Sequence, residues 1–142
     1  MTPNFTTKPE LRAYFRSQRE AISDTERLWH RAQLLDAFSK EPSLQSLTPT
    51  AGYIASHHEA DPSHIIEHLF NNKIKICLPK TTENKEIIFY QWRIAEVLLK
   101  GKFSIPEPAA TTSLIPKLIL VPLLAYDADG YRLGYGGGYY DC

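Results

Sequence analysis

A strand–helix–strand unit between residues 51 and 79 limits the folds that this chain can adopt. Residues 51–56 and 74–79 are short apolar runs that are typical of strands, and residues 62–72 place isoleucine and leucine at helical spacing. Two strands joined by a helix are expected to run parallel, with a right-handed crossover. Because both faces of a parallel sheet need cover, we predict a three-layer α/β fold with a mostly parallel sheet and helices on both faces.

The other segments extend this fold without suggesting a second domain, so residues 1–142 are predicted to form one domain. The further elements predicted are helices over residues 8–21, 23–40 and 94–99 and strands over residues 87–92 and 118–123, with a polar connector over residues 41–50. Capping boxes at Thr7 to Glu10 and at Ser23 to Glu26 open the first two helices. The side of the second helix that is predicted to be buried carries Leu28, Ala32, Leu35 and Phe38.

The composition excludes several classes of function. Sixteen basic and sixteen acidic residues give a formal net charge of zero, which argues against a nucleic-acid partner and a charged membrane surface. No apolar run reaches the roughly 18 residues of a membrane span, and the N-terminus has no apolar signal segment. We therefore expect a cytoplasmic protein, and a monomer. The two cysteines suggest no disulfide framework, and Cys77 is predicted to be a small core residue.

The strongest functional signal is a glycine-rich segment, residues 130–141, that follows the last predicted strand. It contains Gly134 and Gly136 to Gly138, and glycine lets a ligand approach the main chain closely. Successive backbone N–H groups in such a turn form a concave site for phosphate. Arg132 adds a guanidinium that fits phosphate oxygens, and Asp141 supplies a carboxylate of the kind that holds Mg²⁺. The segment therefore predicts a phosphate site.

Two further features are consistent with an anionic ligand that carries a ring system. Tyr139 and Tyr140 in the glycine-rich segment offer flat faces to a ring. The first predicted helix places four basic residues on one face, namely Lys8, Arg12, Arg16 and Arg19. This stripe is either a solvated face or a surface that closes over an anion.

Polar residues also follow the strands of the strand–helix–strand unit, at the edge where parallel sheets bind their ligands. They are His57, His58, Glu59 and Lys80. Glu59 either contacts a ligand or lies in the first turn of the following helix, near the positive end of its dipole. Lys80 either faces the site or is an ordinary exposed lysine.

A metal site is a competing interpretation of the histidines in this region. The candidate set is His57, His58, Asp61, His64 and His68. His64 and His68 are four residues apart on a predicted helix, a spacing that can bind a transition metal. The alternative is that these histidines face water, because isoleucine and leucine neighbours on the same helix must face the core.

The glycine-rich segment and the strand before it resemble the signature of a known family. Val121-Pro122, Ala125-Tyr126-Asp127 and Gly130-Tyr-Arg-Leu-Gly-Tyr-Gly-Gly-Gly-Tyr-Tyr-Asp141 are similar to the motif of the 5-formyltetrahydrofolate cyclo-ligases, or methenyltetrahydrofolate synthetases. The resemblance implies an ATP- and Mg²⁺-dependent conversion of 5-formyltetrahydrofolate to 5,10-methenyltetrahydrofolate, with release of ADP and phosphate. In that reaction the formyl oxygen attacks the γ-phosphate to give an imidate phosphate, and N10 then closes the ring.

The resemblance also implies roles for individual residues. Lys8 and Arg12 match a Lys-x-x-x-Arg pair that contacts ATP, and Arg132 and Lys8 are the implied catalytic residues. The implied ATP-binding residues are Lys8, Arg12, Arg132, Leu133, Gly134, Tyr135, Gly136, Gly137, Gly138, Tyr139 and Tyr140. The implied folate-binding residues are Ile54, Glu59, Tyr135, Gly136, Gly137, Gly138 and Tyr139. Asp141 is the implied Mg²⁺ ligand.

For several positions, two interpretations remain open even when the resemblance is taken into account. Arg16 and Arg19 are expected to be solvent-exposed or secondary to the site. Lys80 resembles a basic residue of the family, and Glu107 is either structural or lines the site. The aromatic residues that stack on a pterin or else pack in the core or rim are Trp92, Tyr126, Tyr131 and Tyr135.

The chain departs from the family pattern after the Tyr-Tyr-Asp motif. Family members continue for several dozen residues, with a further helix, more strand and a second acidic residue near the metal, whereas this sequence stops at Cys142. We therefore expect a domain that is incomplete at its C-terminus, with weakened ATP binding and low or absent turnover. The alternative function is a non-catalytic nucleotide- or folate-binding protein of the same fold.

Overall fold

A computed structural model describes residues 3–56 and 58–141 of the chain. Its helices are α1 (Lys8–Glu20), α2 (Asp24–Ser39), α3 (Pro42–Gln45) and α4 (Ser63–Asn71), with a 3₁₀ helix at Lys102–Ser104. Its strands are β1 (Thr50–Ala51), β2 (Ile76–Thr81), β3 (Ile87–Trp92), β4 (Leu98–Lys100), β5 (Pro106–Pro108), β6 (Leu118–Ile119), β7 (Ala125–Tyr126) and β8 (Arg132–Leu133). None of the described helices is long and apolar enough to cross a membrane.

The central sheet has four strands in the order β3-β2-β1-β6. Strand β1 runs parallel to both neighbours, with Thr50 opposite Ile76 of β2 and Leu118 of β6. Strand β3 is antiparallel to β2, so two of the three pairings are parallel. Two smaller antiparallel ladders pair β4 with β5 and β7 with β8. The predicted α/β class with a mostly parallel sheet is confirmed.

Both predicted capping boxes are present and set the starts of α1 and α2. The Thr7 hydroxyl accepts from the Glu10 N–H at 3.4 Å, and the Glu10 carboxylate accepts from the Thr7 N–H at 3.1 Å. Hydrogen bonds from the Thr7 and Thr6 side chains hold the pKa of Glu10 below its ordinary value. Ser23 and Glu26 make the same reciprocal pair.

The core forms where α4 packs on β2 and where α2 packs on α4. Its buried members are Phe38, Ile65, Ile66, Leu69, Ile76, Leu78 and Trp92. Gly52 permits this packing, because a Cβ there would lie 2.8 Å from Cδ1 of Ile66. Cys77 is buried as predicted, and burial raises the pKa of its thiol to about 11.

The predicted buried side of α2 is wrong over its first half. Leu28 is 58% exposed and Ala32 is exposed, whereas Phe38 is buried and Leu35 is half-buried against the core. The physical reason is that the C-terminal turns of α2 cover the core, so an apolar face continues into solvent at its N-terminal end.

The helix predicted over residues 94–99 is also wrong. Ala95 has a φ of 77°, a left-handed conformation that a helix does not contain, and the chain turns there before entering β4. Strand β4 then pairs with β5, placing Leu99 opposite Glu107. Apolar residues at helical spacing therefore form a strand here, because pairing with β5 outweighs the local helical preference.

Element boundaries differ from the prediction at several points. The strands predicted over 51–56 and 118–123 are shorter in the structure, where β1 spans Thr50–Ala51 and β6 spans Leu118–Ile119. Strand β6 ends at Ile119, before Pro122, which has no N–H to donate to a ladder. Helix α4 begins one residue late, with Pro62 at the N-cap and the Asp61 carboxylate accepting from the Ser63 N–H at 2.9 Å. Strand β2 begins at Ile76 and continues to Thr81, and α3 lies inside the predicted connector.

Candidate functional site

A cavity of about 560 Å³ lies beyond the carboxyl ends of the parallel strands β1, β2 and β6. Helix α1, the segment after β1, the end of β2, the β4–β5 ladder and the glycine-rich segment form its walls. All the residues predicted to bind ATP, folate or metal line this cavity: Lys8, Arg12, Ile54, Glu59, Arg132, Leu133, Gly134, Tyr135, Gly136, Gly137, Gly138, Tyr139, Tyr140 and Asp141. The structure thus brings the predicted residues together, and their individual roles stay predictions.

A hairpin formed by β7 and β8 carries Arg132 to the cavity. The Asp127 carboxylate accepts from the N–H groups of Asp129 and Tyr131 at 3.0 and 2.8 Å, and Gly130 takes a φ of 85°. The hairpin was missed at the sequence level, although an Asp-Gly pair after an apolar strand is a turn signal that indicates one.

The backbone of the glycine-rich segment is open to a ligand. The N–H groups of residues 134–137 donate no hydrogen bond to any residue within 3–56 and 58–141. Gly136 and Gly138 have φ values of 95° and 73°, which favour glycine. Unpaired main-chain donors beside a cavity are the feature that an anion-binding loop requires.

Arg12 is fixed against this segment. Its Nε donates to the Gly134 carbonyl at 3.0 Å, and a Cβ at Gly136 would lie 3.4 Å from its guanidinium carbon. The two terminal nitrogens of Arg12 donate to no other residue that the structure describes. They are therefore free to bind an anion in the cavity, which the exposed side chain of Lys8 also lines.

Arg132 and Asp141, predicted for phosphate and for metal, contact each other. They form an ion pair between Nη2 and Oδ1, with 22% of the Arg132 side chain and 72% of the Asp141 side chain exposed. The Arg132 guanidinium also lies 5.9 Å from the ring centroid of Tyr140. Burial raises the pKa of Tyr140 to about 12, so its hydroxyl is neutral at physiological pH.

One exposed carboxylate beside free main-chain donors fits a Mg²⁺ ion that is bound mainly by phosphate oxygens. Such ions are commonly held by one or two carboxylates together with the substrate's phosphates. Asp141 is the carboxylate available for this purpose in the cavity wall formed by the glycine-rich segment.

Arg19 has a structural contact that was missed from the sequence. It is half-buried and donates to both the Tyr135 hydroxyl and the Leu123 carbonyl, with its guanidinium 5.7 Å from the Tyr135 ring centroid. Burial raises the pKa of Tyr135. Of the two alternatives for Arg19, the solvent-exposed one is wrong, and a role secondary to the site stays a prediction. Arg16 is exposed and lines the cavity.

Glu59 lies in the loop after β1 and not in the first turn of a helix. Its N–H donates to the Ser56 carbonyl at 2.9 Å, and its carboxylate accepts from the Ser56 N–H at 3.2 Å. Helix α4 begins only at Ser63, so the interpretation as a helix-dipole carboxylate is wrong. Ser56 and Glu59 line the cavity wall together with Tyr53 and Ile54.

Glu107 lines the cavity and Lys80 does not, which decides between the two interpretations that each residue had from the sequence. Glu107 is 9% exposed, lines the cavity, and accepts from the Thr81 N–H and hydroxyl, both at 3.4 Å. Lys80 does not line the cavity, and its Nζ lies 5.8 Å from the ring centroid of Tyr90. The alternation of side chains along β2 places Lys80 and Thr81 on opposite faces.

The histidines do not form a metal site among the residues that the structure describes, where no group of three or more His, Cys, Asp or Glu is arranged to hold an ion. His68 contacts the Gln45 side chain through Nε2 at 3.1 Å, and His58 is exposed. His57 lies outside the described residues.

Of the four aromatic residues considered for pterin stacking, Tyr135 lines the cavity. Trp92 is buried in the core, and its indole N–H donates to the Glu96 carbonyl at 3.4 Å. Tyr126 and Tyr131 are 76% and 75% exposed on the hairpin.

An α/β domain with a cation-rich cavity at the carboxyl ends of its parallel strands has the architecture of a small-molecule enzyme. The sequence profile of the 5-formyltetrahydrofolate cyclo-ligase family matches residues 4–142. The chain therefore belongs to this family, which is one of ATP-dependent ligases.

Individual relatives agree with this assignment. The mouse 5-formyltetrahydrofolate cyclo-ligase is 27% identical over 149 aligned residues, which cover 96% of this chain and 72% of the mouse protein. The structure of the 5,10-methenyltetrahydrofolate synthetase of Aquifex aeolicus has a TM-score of 0.81 and 30% identity, and the match covers 96% of this chain and 71% of that one. The Mycoplasma pneumoniae synthetase has the same fold, with a TM-score of 0.70, 24% identity and coverage of 96% and 76%.

Proposed function

We propose that this chain binds ATP and 5-formyltetrahydrofolate together in the 560 Å³ cavity and converts the folate to 5,10-methenyltetrahydrofolate, with release of ADP and phosphate. The observation that carries the proposal is that free main-chain donors, the cationic side chains of Lys8, Arg12 and Arg132, and the residues Ile54 and Glu59 after β1 face one cavity. Its volume falls within the range of ordinary small-molecule sites.

The triphosphate would lie against α1 and the glycine-rich segment. Lys8, Arg12 and Arg132 supply positive charge, and the N–H groups of residues 134–137 supply donors that cost no rearrangement of existing hydrogen bonds. Tyr139 and Tyr140 bound the same wall. This arrangement supports the ATP-binding set proposed from the sequence, Lys8, Arg12 and Arg132 to Tyr140.

The reduced folate would lie toward the strand ends. Ile54 offers an apolar contact and Glu59 a hydrogen-bond acceptor after β1, while Tyr135 to Tyr139 close the opposite side. Because both ligands share the glycine-rich segment, the formyl oxygen and the γ-phosphate would meet beside it.

The chemistry needs positioning and charge neutralisation more than covalent work from the protein, as in other phosphoryl transfers. The formyl oxygen attacks the γ-phosphorus and the bond to the β,γ-bridging oxygen breaks, giving ADP and an imidate phosphate. Lys8 and Arg132 stabilise the charge on the transferred phosphoryl group. N10 then attacks the activated carbon, its proton passes to solvent, and phosphate departs to leave the methenyl bridge. A Mg²⁺ ion, when bound by Asp141 and the nucleotide, would neutralise part of the triphosphate charge.

We further propose that the protein acts as a cytoplasmic monomer, without a nucleic-acid or membrane partner. The formal net charge of zero supports the absence of a nucleic-acid partner. Light scattering at several protein concentrations tests the monomer, which a mass equal to twice that of the chain would contradict.

Growth of methenyltetrahydrofolate absorbance in the presence of Mg²⁺, ATP and 5-formyltetrahydrofolate tests the activity, and calorimetry with each ligand tests binding. We expect Lys8→Met to weaken ATP binding, whereas Lys117→Met, which removes an exposed lysine outside the cavity, leaves it unchanged. Binding of both ligands without product would support a non-catalytic binding protein instead. Absence of ATP binding would contradict the proposal.

A further inference from the structure

Glu107 is a carboxylate that the mechanism above does not use, and it lies in an unusual place. It is 9% exposed, on the short strand β5 between two prolines, and it lines the cavity. A buried carboxylate is costly unless it is paired or hydrogen-bonded. Glu107 forms no ion pair with any residue in the described part of the chain.

The existing hydrogen bonds of Glu107 are weak and leave one oxygen without a donor. The Thr81 N–H and hydroxyl both donate to Oε1 at 3.4 Å, near the upper limit for a hydrogen bond. Oε2 accepts from no described residue, and it is not among the fully buried polar atoms that lack a partner. Oε2 is therefore accessible from the cavity.

Neighbouring residues fix the Glu107 side chain in this position. A Cβ at Gly101 would lie 2.2 Å from the carboxyl carbon of Glu107, so the carboxylate packs directly on that glycine. The β4–β5 ladder holds the backbone, with Leu99 opposite Glu107. An acceptor that is held rigidly on a cavity wall suits the recognition of a ligand's N–H groups.

We propose that Glu107 is a specificity-determining residue that accepts hydrogen bonds from the pteridine ring of the reduced folate. The 2-amino group and N3–H of a pteridine are two adjacent donors, and the two oxygens of a carboxylate match them as they match the fork of a guanidinium. This inference rests on the proposed function, which places a reduced folate in the same cavity.

Adenine is a poorer match for Glu107. Its exocyclic amino group lies beside ring nitrogens that are acceptors, so a carboxylate would gain one hydrogen bond and face a repulsive lone pair. Glu107 also lies on a different wall of the cavity from the proposed triphosphate site. The cations assigned to the triphosphate lie on α1 and the glycine-rich segment, whereas the strand of Glu107 packs against β2 and β3. Lys102 lines the cavity as well and is not within ion-pair distance of Glu107.

The test compares the binding of 5-formyltetrahydrofolate with that of its 2-desamino-2-methyl analogue by calorimetry, in the wild type and in Glu107→Gln. We expect the wild type to prefer the natural folate by about 10- to 100-fold, the range for a hydrogen bond to a charged group. In Glu107→Gln the preference should fall to about threefold or less, because glutamine keeps the shape but loses the second acceptor. ATP binding should be unchanged.

Several results would overturn the inference. Equal binding of both folates by the wild type would exclude the inference. This outcome needs no variant, so the test does not depend on the folding of Glu107→Gln. Loss of ATP binding in Glu107→Gln with the folate preference intact would assign the residue to the nucleotide. A wild type that binds no reduced folate would overturn the proposed function as well, whereas folate binding without the preference would overturn this inference alone.

Discussion

Replacing Arg19 with methionine is expected to destabilise the domain, because this side chain joins α1 to two distant parts of the chain. Its guanidinium donates to the Leu123 carbonyl and to the Tyr135 hydroxyl. Hydrogen bonds from a charged group contribute about 1.5–3 kcal/mol each, and partial exposure reduces this value. We expect a loss of about 2–3 kcal/mol in the free energy of unfolding, or a fall of roughly 5–10 °C in melting temperature.

Urea denaturation followed by far-UV circular dichroism measures this change, and Arg16→Met is the matched control. Arg16 lies on the same helix and carries the same charge, but it is exposed and makes no described hydrogen bond through its side chain. We expect Arg16→Met to change stability by less than about 0.5 kcal/mol. Equal effects of the two substitutions would refute the reasoning, because charge alone would then explain both.

A double-mutant cycle with Tyr135→Phe isolates the contact to the glycine-rich segment. Removing the Tyr135 hydroxyl in the wild type should cost about 1 kcal/mol, because Arg19 keeps its bond to the Leu123 carbonyl. In the Arg19→Met background the same change should cost less than in the wild type, because the hydroxyl then keeps only its hydrogen bond to the Glu59 side chain. Additive effects would show that Arg19 and Tyr135 are not coupled in solution.

Three further predictions follow from the geometry of the cavity. Gly136→Ala should weaken ATP binding about tenfold by calorimetry, because alanine is strained at a φ of 95° and the loop that lines the cavity must shift to relieve this strain. Gly130→Ala is strained at a φ of 85° as well, but Gly130 does not line the cavity, so this change should lower only stability. Equal ATP affinities of the two variants would contradict this. Asp141→Asn should reduce the ratio of ATP affinities with and without Mg²⁺ several-fold, and an unchanged ratio would exclude Asp141 as the ligand. The pKa of Tyr140 in the folded protein is about 12, above its ordinary value of 10. Its contribution to stability is therefore present below pH 10 and is lost as the pH rises through 12. Tyr140→Phe should flatten the alkaline decline in the free energy of unfolding, and an identical decline would contradict this.

The sequence was sufficient to predict the parallel sheet and the glycine-rich segment that lines the cavity. Capping boxes at Thr7 and Ser23 act over three residues, so local chemistry determines the starts of α1 and α2. The glycine-rich segment could be predicted for a similar reason, since its open backbone depends on its own residues. The apolar runs that form β2 and β3 pair in the register that buries Ile76 and Trp92.

Features that depend on distant partners could not be predicted in this way. Apolar residues after Ile94 fit a helix and a strand equally well, and only the pairing of β4 with β5 decides between them. The apolar face of α2 has no local mark that shows which turns the core will cover, so Leu28 was assigned wrongly. Arg19 lies 104 residues from Leu123, and no periodicity connects them.

Under the proposed function, the ion pair between Arg132 and Asp141 would link the binding of the nucleotide to that of Mg²⁺. A triphosphate that accepts from Nη2 of Arg132 would displace the Asp141 carboxylate, which would then lie beside a polyanion in the cavity wall. Like charges at such a distance repel unless a cation lies between them. Nucleotide and Mg²⁺ should therefore bind with positive coupling, and the coupling free energy is reciprocal, so ATP raises the affinity for Mg²⁺ by the same factor. In the absence of ligands, the ion pair satisfies both the Arg132 guanidinium and the Asp141 carboxylate. The residue proposed for phosphate and the residue proposed for Mg²⁺ can therefore lie side by side in the cavity wall.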